Sequence, residues 1–272
     1  MNHRRILIWA IDTADFKAML PAIKTLFNNS DQILLSFAYE KKFVSLHKLV
    51  GSTKTIEIAD FGDDEESLDL QKYFCSVGDI TKVLFNDFSA EEINVRLKQL
   101  NRWEKSYTTD DTRFLDLMVV SRNYLNENNL PQESHVGMLC DVKCSLLVLD
   151  PLQYVFNKLI INYNGTDASF NAIQKFSYIF EAQYQDANVH LAMHINDNAL
   201  DAENCVYSYL RTHKKNIAIH RFFEDEYNYS LEQLLSDEHG AMLISGSERC
   251  NTIHQFIDFA KKSNDHCSLF IA

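Results

Sequence analysis

Glycine and proline are scarce in this sequence, at 7 and 3 of its 272 residues. Flexible and extended linkers are rich in these residues, so their scarcity argues against long tethers between parts of the chain. Basic residues are also outnumbered, because 26 lysines and arginines stand against 38 aspartates and glutamates, for a formal net charge of −12. A surface that binds phosphates needs a basic patch, so this charge argues against a nucleic-acid partner.

Long apolar runs are missing as well. No apolar stretch approaches the roughly 20 residues that a membrane-spanning helix needs. Near the N-terminus, Arg4 and Arg5 precede an apolar run that ends at Asp12, which is too short for the apolar core and cleavage region of a signal peptide. The six cysteines lie singly inside strand-like or helix-like patterns, which is typical of reduced, buried thiols. We therefore expect a cytoplasmic protein without a membrane partner.

Several sequence motifs that indicate a particular enzymatic activity are also absent. The sequence contains no Gly-x-Ser-x-Gly, no glycine-rich dinucleotide fingerprint and no lysine-bearing phosphate loop. His190 and His194 lie four residues apart in a predicted strand, but a metal site would need a third ligand, so we interpret them as edge or loop-facing histidines. Cys140 and Cys144 have the same spacing and are interpreted as small residues that pack at a helix end. No catalytic or metal-binding residue is predicted.

What the sequence does contain is a strand, a tight turn and an amphipathic helix within 158–180. Leu159, Ile160 and Ile161 form a short apolar run, and the turn residues 164–167 follow it, with Thr166 or Asp167 placed to cap a helix. Apolar residues then recur at three- and four-residue spacing, at Phe170, Ile173, Phe176, Ile179 and Phe180. This spacing predicts one buried helical face and the opening of a βαβ unit.

The same opening occurs near the N-terminus. An apolar strand-like run at 6–11 precedes a turn at 12–15 and a helix with the same apolar spacing from Phe16. Asp12 then matches Asn164 if the first loop is two residues shorter, and Phe16 matches Phe170. Two such openings predict a duplicated domain, with boundaries at 1–150 and 151–272.

Each predicted domain alternates strands with helices. In the first, further strands are expected at 32–39, 80–85, 114–120 and 145–149, an extra strand at 55–59, helices at 67–74, around 93–103 and at 131–140, and a polar loop at 121–129. In the second, strands are expected at 188–195, 217–223, 240–245 and 267–271, and helices at 202–213, 229–239 and around 253–260.

This alternation predicts an α/β protein with two doubly wound, Rossmann-like, parallel five-stranded sheets in tandem, because parallel strands need helical crossovers. Ligands of such sheets bind at the carboxyl ends of the strands, where the strand order reverses. The loops that follow the strands are therefore the candidate binding site.

Several stretches resemble universal stress proteins. Residues 161–169 (Ile-Asn-Tyr-Asn-Gly-Thr-Asp-Ala-Ser) resemble the family's strand that ends in Asp-Gly-Ser before an amphipathic helix. Residues 116–122 and 241–247 resemble its fourth strand, and the endings 144–149 and 267–272 resemble its closing strand. The resemblance covers nearly the whole chain, with a poor fit over 40–78. It implies a tandem member with two domains of the adenine nucleotide alpha hydrolase-like fold.

The resemblance raises the question of ATP, because nucleotide-binding members carry Gly-x2-Gly-x9-Gly-Ser/Thr after strand four. Here Gly246 matches the first position, but Arg249 and Phe259 stand at the other two, and we expect Phe259 to face the core. In the first domain the three positions hold Ser121, Tyr124 and Ser134. The family's strand-one acid is kept as Asp12 but is Asn164 in the second domain. By analogy, the chain is nearer the members that do not bind ATP, and no cofactor is firmly implied.

If a nucleotide binds, its contacts are expected in the loops after the strands. The candidate cleft residues are Asp12, Ser121, Asn164, Gly165, Thr166, Ile195, Gly246, Ser247 and Arg249. The side chain of Arg249 could contact a phosphate without a glycine loop.

Two classes of function follow. The first is a stress-associated protein without catalysis that acts through protein contacts or a small regulatory ligand. The second is an ATP- or AMP-binding module, or a weak ATPase, that uses the cleft of the second domain. A nucleotide hydrolase or ligase of a related fold is disfavoured because the phosphate loop is missing.

Assembly is a further expectation from the resemblance, since domains of the family pair through their closing strands. In a tandem chain, 145–149 could pair with 268–271 to give an intramolecular pseudo-dimer. A homodimer and unidentified protein partners are further expectations.

Overall fold

The computed structural model describes residues 4–10, 13–27, 31–37, 42–47, 55–59, 75–76, 96–97, 112–126, 132–153, 155–180, 184, 186–195, 197–213, 216–236, 240–246, 248–262 and 266–272. The strands are β1 Arg5–Ala10, β2 Gln32–Phe37, β3 Lys42–His47, β4 Thr55–Ala59, β5 Cys75–Ser76, β6 Arg96–Leu97, β7 Leu117–Ser121, β8 Ser145–Leu149, β9 Lys158–Tyr163, β10 Asn188–His194, β11 Ile217–Phe222, β12 Ala241–Ser245 and β13 Cys267–Ile271. The α-helices are α1 Thr13–Leu26, α2 Arg122–Asn126, α3 Gln132–Asp141, α4 Asp167–Phe180, α5 Asp197–His213, α6 Glu224–Ser236 and α7 Arg249–Lys262, with a 3-10 turn at Thr112–Phe114.

All of these strands belong to one sheet. Its order is β11-β10-β9-β12-β13-β8-β7-β1-β2-β3-β4-β6, and β5 pairs with β2. The strands within each half run parallel, except that β3 and β5 pair antiparallel with β2, and β4 with β3. The α/β, doubly wound class is thus confirmed. The two separate sheets that the sequence predicts are instead joined, because β8 and β13 pair with each other and leave no edge between the halves.

The register of pairing is the same in the first half (4–150) and the second half (151–272). Leu117 of β7 lies opposite Ile6 of β1, and Met242 of β12 lies opposite Leu159 of β9. All four side chains are fully buried. The strand order from the junction outward also agrees, as β8-β7-β1-β2 and β13-β12-β9-β10. Equivalent positions in the two halves can therefore be compared directly.

Helices cover both faces of the sheet, so the molecule has three layers. On one face α1, α4 and α5 bury a core centred on Phe16, Phe176, Phe180 and Phe270. On the other face α2, α3, α6 and α7 bury a second core that includes Phe256. Strands that are buried on both faces are continuous apolar runs, as β1, β8 and β12 are.

The junction between the halves is an antiparallel strand pair. Leu146 lies opposite Ile271, and Val148 lies opposite Leu269, in the middle of the sheet. Just beyond β8, the backbone N–H of Asp150 donates a 3.0 Å hydrogen bond to Oγ of Ser268 in β13. Strand pairing and a side-chain bond therefore fix the same register.

The Asp150 carboxylate beside this junction is buried and has two cationic or basic neighbours. Arg122 donates to its Oδ2 from 2.8 Å, and Nδ1 of His266 lies 3.1 Å from the same oxygen. The backbone N–H of Leu152 donates to Oδ1 at 2.9 Å. Because Arg122 and His266 come from different halves, this buried acid connects them.

Arg4 makes a second connection on the opposite face. Its Nε donates to Asp31 at 2.7 Å, forming a buried ion pair, and its guanidinium also donates to the carbonyl oxygen of Ile179 in α4. The ring of Phe27, which follows α1, lies 6.3 Å from that of Phe180 at the end of α4. The C-terminal ends of α1 and α4 are thus fastened to each other.

Most predicted elements occur within a few residues of their expected bounds, including β4 at the predicted extra strand 55–59. Four predictions were wrong. The polar loop expected at 121–129 contains α2, and the helix expected around 93–103 has the strand β6 at Arg96–Leu97 pairing with β4. Two helices begin earlier than expected, α5 at Asp197 rather than near Ala202 and α6 at Glu224 rather than near Tyr229. The strand expected at 80–85 and the helix expected at 67–74 lie outside the described residues. Among the described helices, none has the length and apolarity that a membrane span requires.

Candidate functional site

The candidate site lies at the carboxyl end of β9, where the strand order reverses. The chain leaves β9 for β10 on one side, and later returns through β12 on the other. Asn162 near the end of β9 is opposite Ser245 of β12, and its side-chain nitrogen lies 3.4 Å from the Ser245 hydroxyl. The loops that begin with Asn164 and Gly246 therefore start side by side, as a switch point requires.

The loop after β9 is a turn that satisfies its own polar groups. Gly165 has a φ of 81°, the left-handed region that favours glycine. Oδ1 of Asn164 accepts from the backbone N–H of Thr166 at 3.2 Å and from its hydroxyl at 2.7 Å. The Thr166 oxygen in turn accepts from the N–H of Ser169 at 3.3 Å and so caps α4. Thr166, rather than Asp167, is the cap.

The surroundings of Gly246 leave no space for a side chain. A Cβ atom built on Gly246 would lie 1.9 Å from the carbonyl oxygen of Ala168 and 2.8 Å from the Cα of Ser169. Both belong to the first turn of α4. The glycine therefore allows two backbone segments to pack closely.

The equivalent position of the first half is Ser121, which lies four residues after Leu117 just as Gly246 lies four after Met242. Its hydroxyl donates to Oδ1 of Asp15 at 2.7 Å. The side-chain amide of Asn123 donates to the same oxygen at 2.9 Å. Asp15 is buried in the first turn of α1, so a carboxylate of the chain itself occupies the place where a helix N-terminus would attract an anion.

Arg249 is directed away from the candidate cleft. Its guanidinium donates to the carbonyl oxygens of Val142 and, at 2.8 Å, Cys144, both in the first half. Burial lowers the pKa of Arg249. The two carbonyls hold its donors, which argues against a role for this side chain as a phosphate ligand.

Three candidate residues remain, and the structure describes one of them, Ile195. Ile195 follows β10, and its backbone N–H donates to the carbonyl oxygen of Phe222 at 2.9 Å, which extends the pairing of β10 with β11. Asp12 and Ser247 lie outside the described residues. The structure thus brings Asn164, Gly165, Thr166 and Gly246 together.

Phe259 is buried in the core, as expected. It borders a cavity of about 190 Å³ between α6 and α7. The lining residues are Asn162, Leu231, Glu232, Leu235, Leu243, Thr252, Gln255, Phe256, Asp258 and Phe259. The charged members of this lining are two carboxylates, so the cavity is unsuited to phosphate groups.

A histidine pair was missed by the sequence analysis because its members lie on neighbouring strands. Nδ1 of His190 in β10 lies 3.0 Å from Nε2 of His220 in β11, and the two rings stack. Burial lowers the pKa of His220, and the positive charge of Lys158 lowers it further. Among the described residues, no group of three or more His, Cys, Asp or Glu side chains is arranged to hold a metal ion.

A disulfide bond joins Cys140 in α3 to Cys250 in α7. The expectation of reduced thiols is therefore wrong for these two residues, and Cys140 is bonded across the halves instead of packing in a pair with Cys144. A second departure is Cys205, which is exposed, whereas Cys144 and Cys267 are buried, and none of these three is part of a disulfide. Spacing along the chain could not reveal this bond, because its two cysteines are 110 residues apart.

Comparison with known proteins bears on the fold. No protein-family model matches this sequence, and no curated protein matches it. The structure is similar to the crystal structure of a universal stress protein from Archaeoglobus fulgidus DSM 4304, with a TM-score of 0.52 and 9% sequence identity, over 98% of this chain and 95% of the other. At this identity the similarity establishes a shared α/β, Rossmann-like fold.

Proposed function

We propose that this chain is a tandem protein of the universal stress type, with domains at 1–150 and 151–272, that acts without catalysis. It acts in the cytoplasm by binding other proteins. A stress signal or a small regulatory ligand controls this binding. The proposal rests on the similar fold and on the motif resemblances at 161–169 and 241–247.

One observation argues against nucleotide binding. At the two equivalent positions, Ser121 at the end of β7 and Gly246 just after β12, other atoms of the chain lie in close contact. Gly246 is covered by the backbone of Ala168, and the hydroxyl of Ser121 is bonded to the carboxylate of Asp15. A phosphate in the first half would also meet the negative charge of Asp15. These contacts support the proposal that ATP does not bind in these loops.

The same proposal gives the two halves the relation of an intramolecular pseudo-dimer. The antiparallel pairing of β8 with β13 and the equal registers of the two halves support it. Because this pairing already uses the closing strands, a homodimer or a partner protein would have to bind another surface.

Titration calorimetry of the purified full chain with ATP, ADP and AMP tests the proposal. We expect no saturable heat with any of the three at up to millimolar nucleotide. The matched variant is Asn164→Ala, which alters the turn beside Gly246. Saturable binding at micromolar concentration that this variant weakens would overturn the proposal and assign a nucleotide to the second half.

A further inference from the structure

The disulfide between Cys140 and Cys250 joins two helices of different halves. It links the last turn of α3 to the first turn of α7, and the two Cα atoms are 5.1 Å apart, within the range that a disulfide needs. Arg249, the residue before Cys250, also contacts the first half. The disulfide and the hydrogen bonds of Arg249 therefore lie on the same side of the molecule. It fastens helices that the sheet junction alone does not hold.

The two sulfur atoms differ in access and surroundings. Cys250 is exposed and lies at the N-terminal end of α7, where the helix stabilises negative charge on a thiolate. Cys140 is half-buried and lies at the C-terminal end of α3, where a thiolate is disfavoured. Cys250 is therefore the more exposed of the two residues, and its sulfur is also the better thiolate when the bond opens.

The neighbouring thiol is unsuited to compete for the bond. Cys144 lies four residues from Cys140, but burial raises the pKa of its thiol to about 12, although the positive charge of Arg249 acts in the opposite direction. A protonated thiol is a poor nucleophile, so Cys144 does not exchange into the disulfide at neutral pH. The couple is confined to Cys140 and Cys250.

Opening the bond would loosen α7 without separating the halves. The guanidinium of Arg249 would still donate to the carbonyls of Val142 and Cys144, and β8 would still pair with β13. What is lost is the covalent constraint on the first turn of α7. The consequence is local and reversible, as a sensor requires.

We propose that Cys140 and Cys250 form a reversible dithiol–disulfide couple, through which the thiol redox state of the surroundings sets how firmly α7 is held against the first half. This inference goes beyond the proposed function and holds whichever partner or ligand the protein has. The reductant is a thiol, either one dithiol or two equivalents of a monothiol such as glutathione, the second of which takes the place of the second thiolate of the dithiol.

The exchange balances as follows. A thiolate of the dithiol bonds to the Cys250 sulfur, and the electron pair of the broken bond goes to the Cys140 sulfur, which takes a proton. The second thiolate of the reductant then attacks its own mixed-disulfide sulfur, and Cys250 leaves as a thiolate. The protein disulfide gains two electrons and the dithiol becomes a disulfide.

The test uses the full chain with Cys75→Ser and Cys205→Ser, so that neither Cys75 nor the exposed Cys205 adds to the number of alkylated thiols. The protein is equilibrated in graded ratios of reduced to oxidised dithiothreitol and then of glutathione, alkylated, and analysed by peptide mass spectrometry. We expect Cys140 and Cys250 to become alkylated together, two thiols per chain, with a midpoint inside the range of the glutathione buffers. Cys144 should stay unmodified unless the protein is denatured.

Amide hydrogen exchange then reports the effect on structure. On reduction we expect the first turns of α7 to exchange about tenfold faster or more, while β8 and β13 keep their protection. Cys250→Ser should exchange at the faster rate in both oxidising and reducing buffer. Three results would each overturn the proposal: alkylation of both cysteines in air-oxidised native protein, a bond that resists every glutathione ratio, or exchange in α7 that reduction leaves unchanged. The redox titration of the parent chain decides the matter even if the variant does not fold.

Discussion

At the end of β12, Gly246 lies so close to the first turn of α4 that no side chain fits between them. The same residue matches the first glycine of a phosphate loop in the motif, and both explanations account for a glycine there. The distance to Ala168 favours packing, because backbone atoms already fill the place where a side chain would lie. Packing is the reason for the residue.

Replacing Gly246 with alanine should destabilise the protein by about 3 kcal/mol, because the added methyl group collides with backbone rather than with a movable side chain. Gly137 in α3 is the matched control, since a Cβ atom there meets nothing within 4 Å. Gly137→Ala should stabilise the protein by about 0.5–1 kcal/mol through the helix preference of alanine. Urea unfolding midpoints measure both. Equal effects of the two changes would mean that Gly246 is not confined.

The lowered pKa of His220 predicts a pH dependence of stability. Below its ordinary value near 6.5, the unfolded chain binds a proton at this residue more readily than the folded chain does, so folding loses free energy as the pH falls. His220→Asn should therefore reduce the loss of unfolding free energy between pH 7.5 and pH 5.5. The comparison of slopes excludes the constant loss of the contact with His190. A loss of stability as large in the variant as in the parent would contradict the assignment.

Among the elements, α4 depends on a single side chain for its beginning. The hydroxyl of Thr166 accepts from the N–H of Ser169, which would otherwise lack a partner within the helix. Thr166→Ala should lower the free energy of unfolding by about 1 kcal/mol, and Thr166→Ser should retain most of it. Chemical denaturation of the three proteins distinguishes them. Equal destabilisation of the serine and alanine variants would mean that the methyl group of Thr166, rather than its capping hydroxyl, stabilises the protein.

The elements that the sequence predicted well are those with one strong signal. The apolar run of β8 and the three- and four-residue spacing of α4 each fix an element by themselves, because burial on both faces or along one stripe leaves a clear pattern. The helix α2 was missed because it is five residues long, too short for any periodicity, and begins in a polar stretch. The strand β6 was missed because the apolar residues around it also fit helical spacing, and pairing with β4 decides the outcome.

The candidate site divides in the same way. The turn of Asn164, Gly165 and Thr166 was predictable, because local chemistry determines a turn and a cap. The position of Arg249 was not, since its partners Val142 and Cys144 are more than 100 residues away. The histidine pair, 30 residues apart, and the disulfide, 110 residues apart, were not predictable either. Contacts of that kind depend on which strands are neighbours, and a single sequence does not state the order of strands.

At the scale of the whole molecule, the sheet is continuous through both halves. The junction strands β8 and β13 are buried along their length, and the ring of Phe270 in β13 lies 5.4 Å from that of Phe176 and 5.9 Å from that of Phe180. The bond of Arg4 to the carbonyl oxygen of Ile179 and the bonds of Arg249 to the first half add connections between the halves on opposite faces. We interpret the two halves as one cooperative unit in which other atoms of the chain pack against Gly246 and Ser121. In such a unit the junction must be as stable as the rest of the core.

Native-state amide hydrogen exchange of the junction is the most direct test of that account. If the sheet is one unit, the amides of 146–148 and 269–271 that bond across β8 and β13 should exchange only through global unfolding, with an opening free energy equal to that from denaturation. If these amides exchange through an opening of lower free energy, while the interiors of β1 and β9 remain protected, the halves separate as independent domains and the account of a single unit is contradicted.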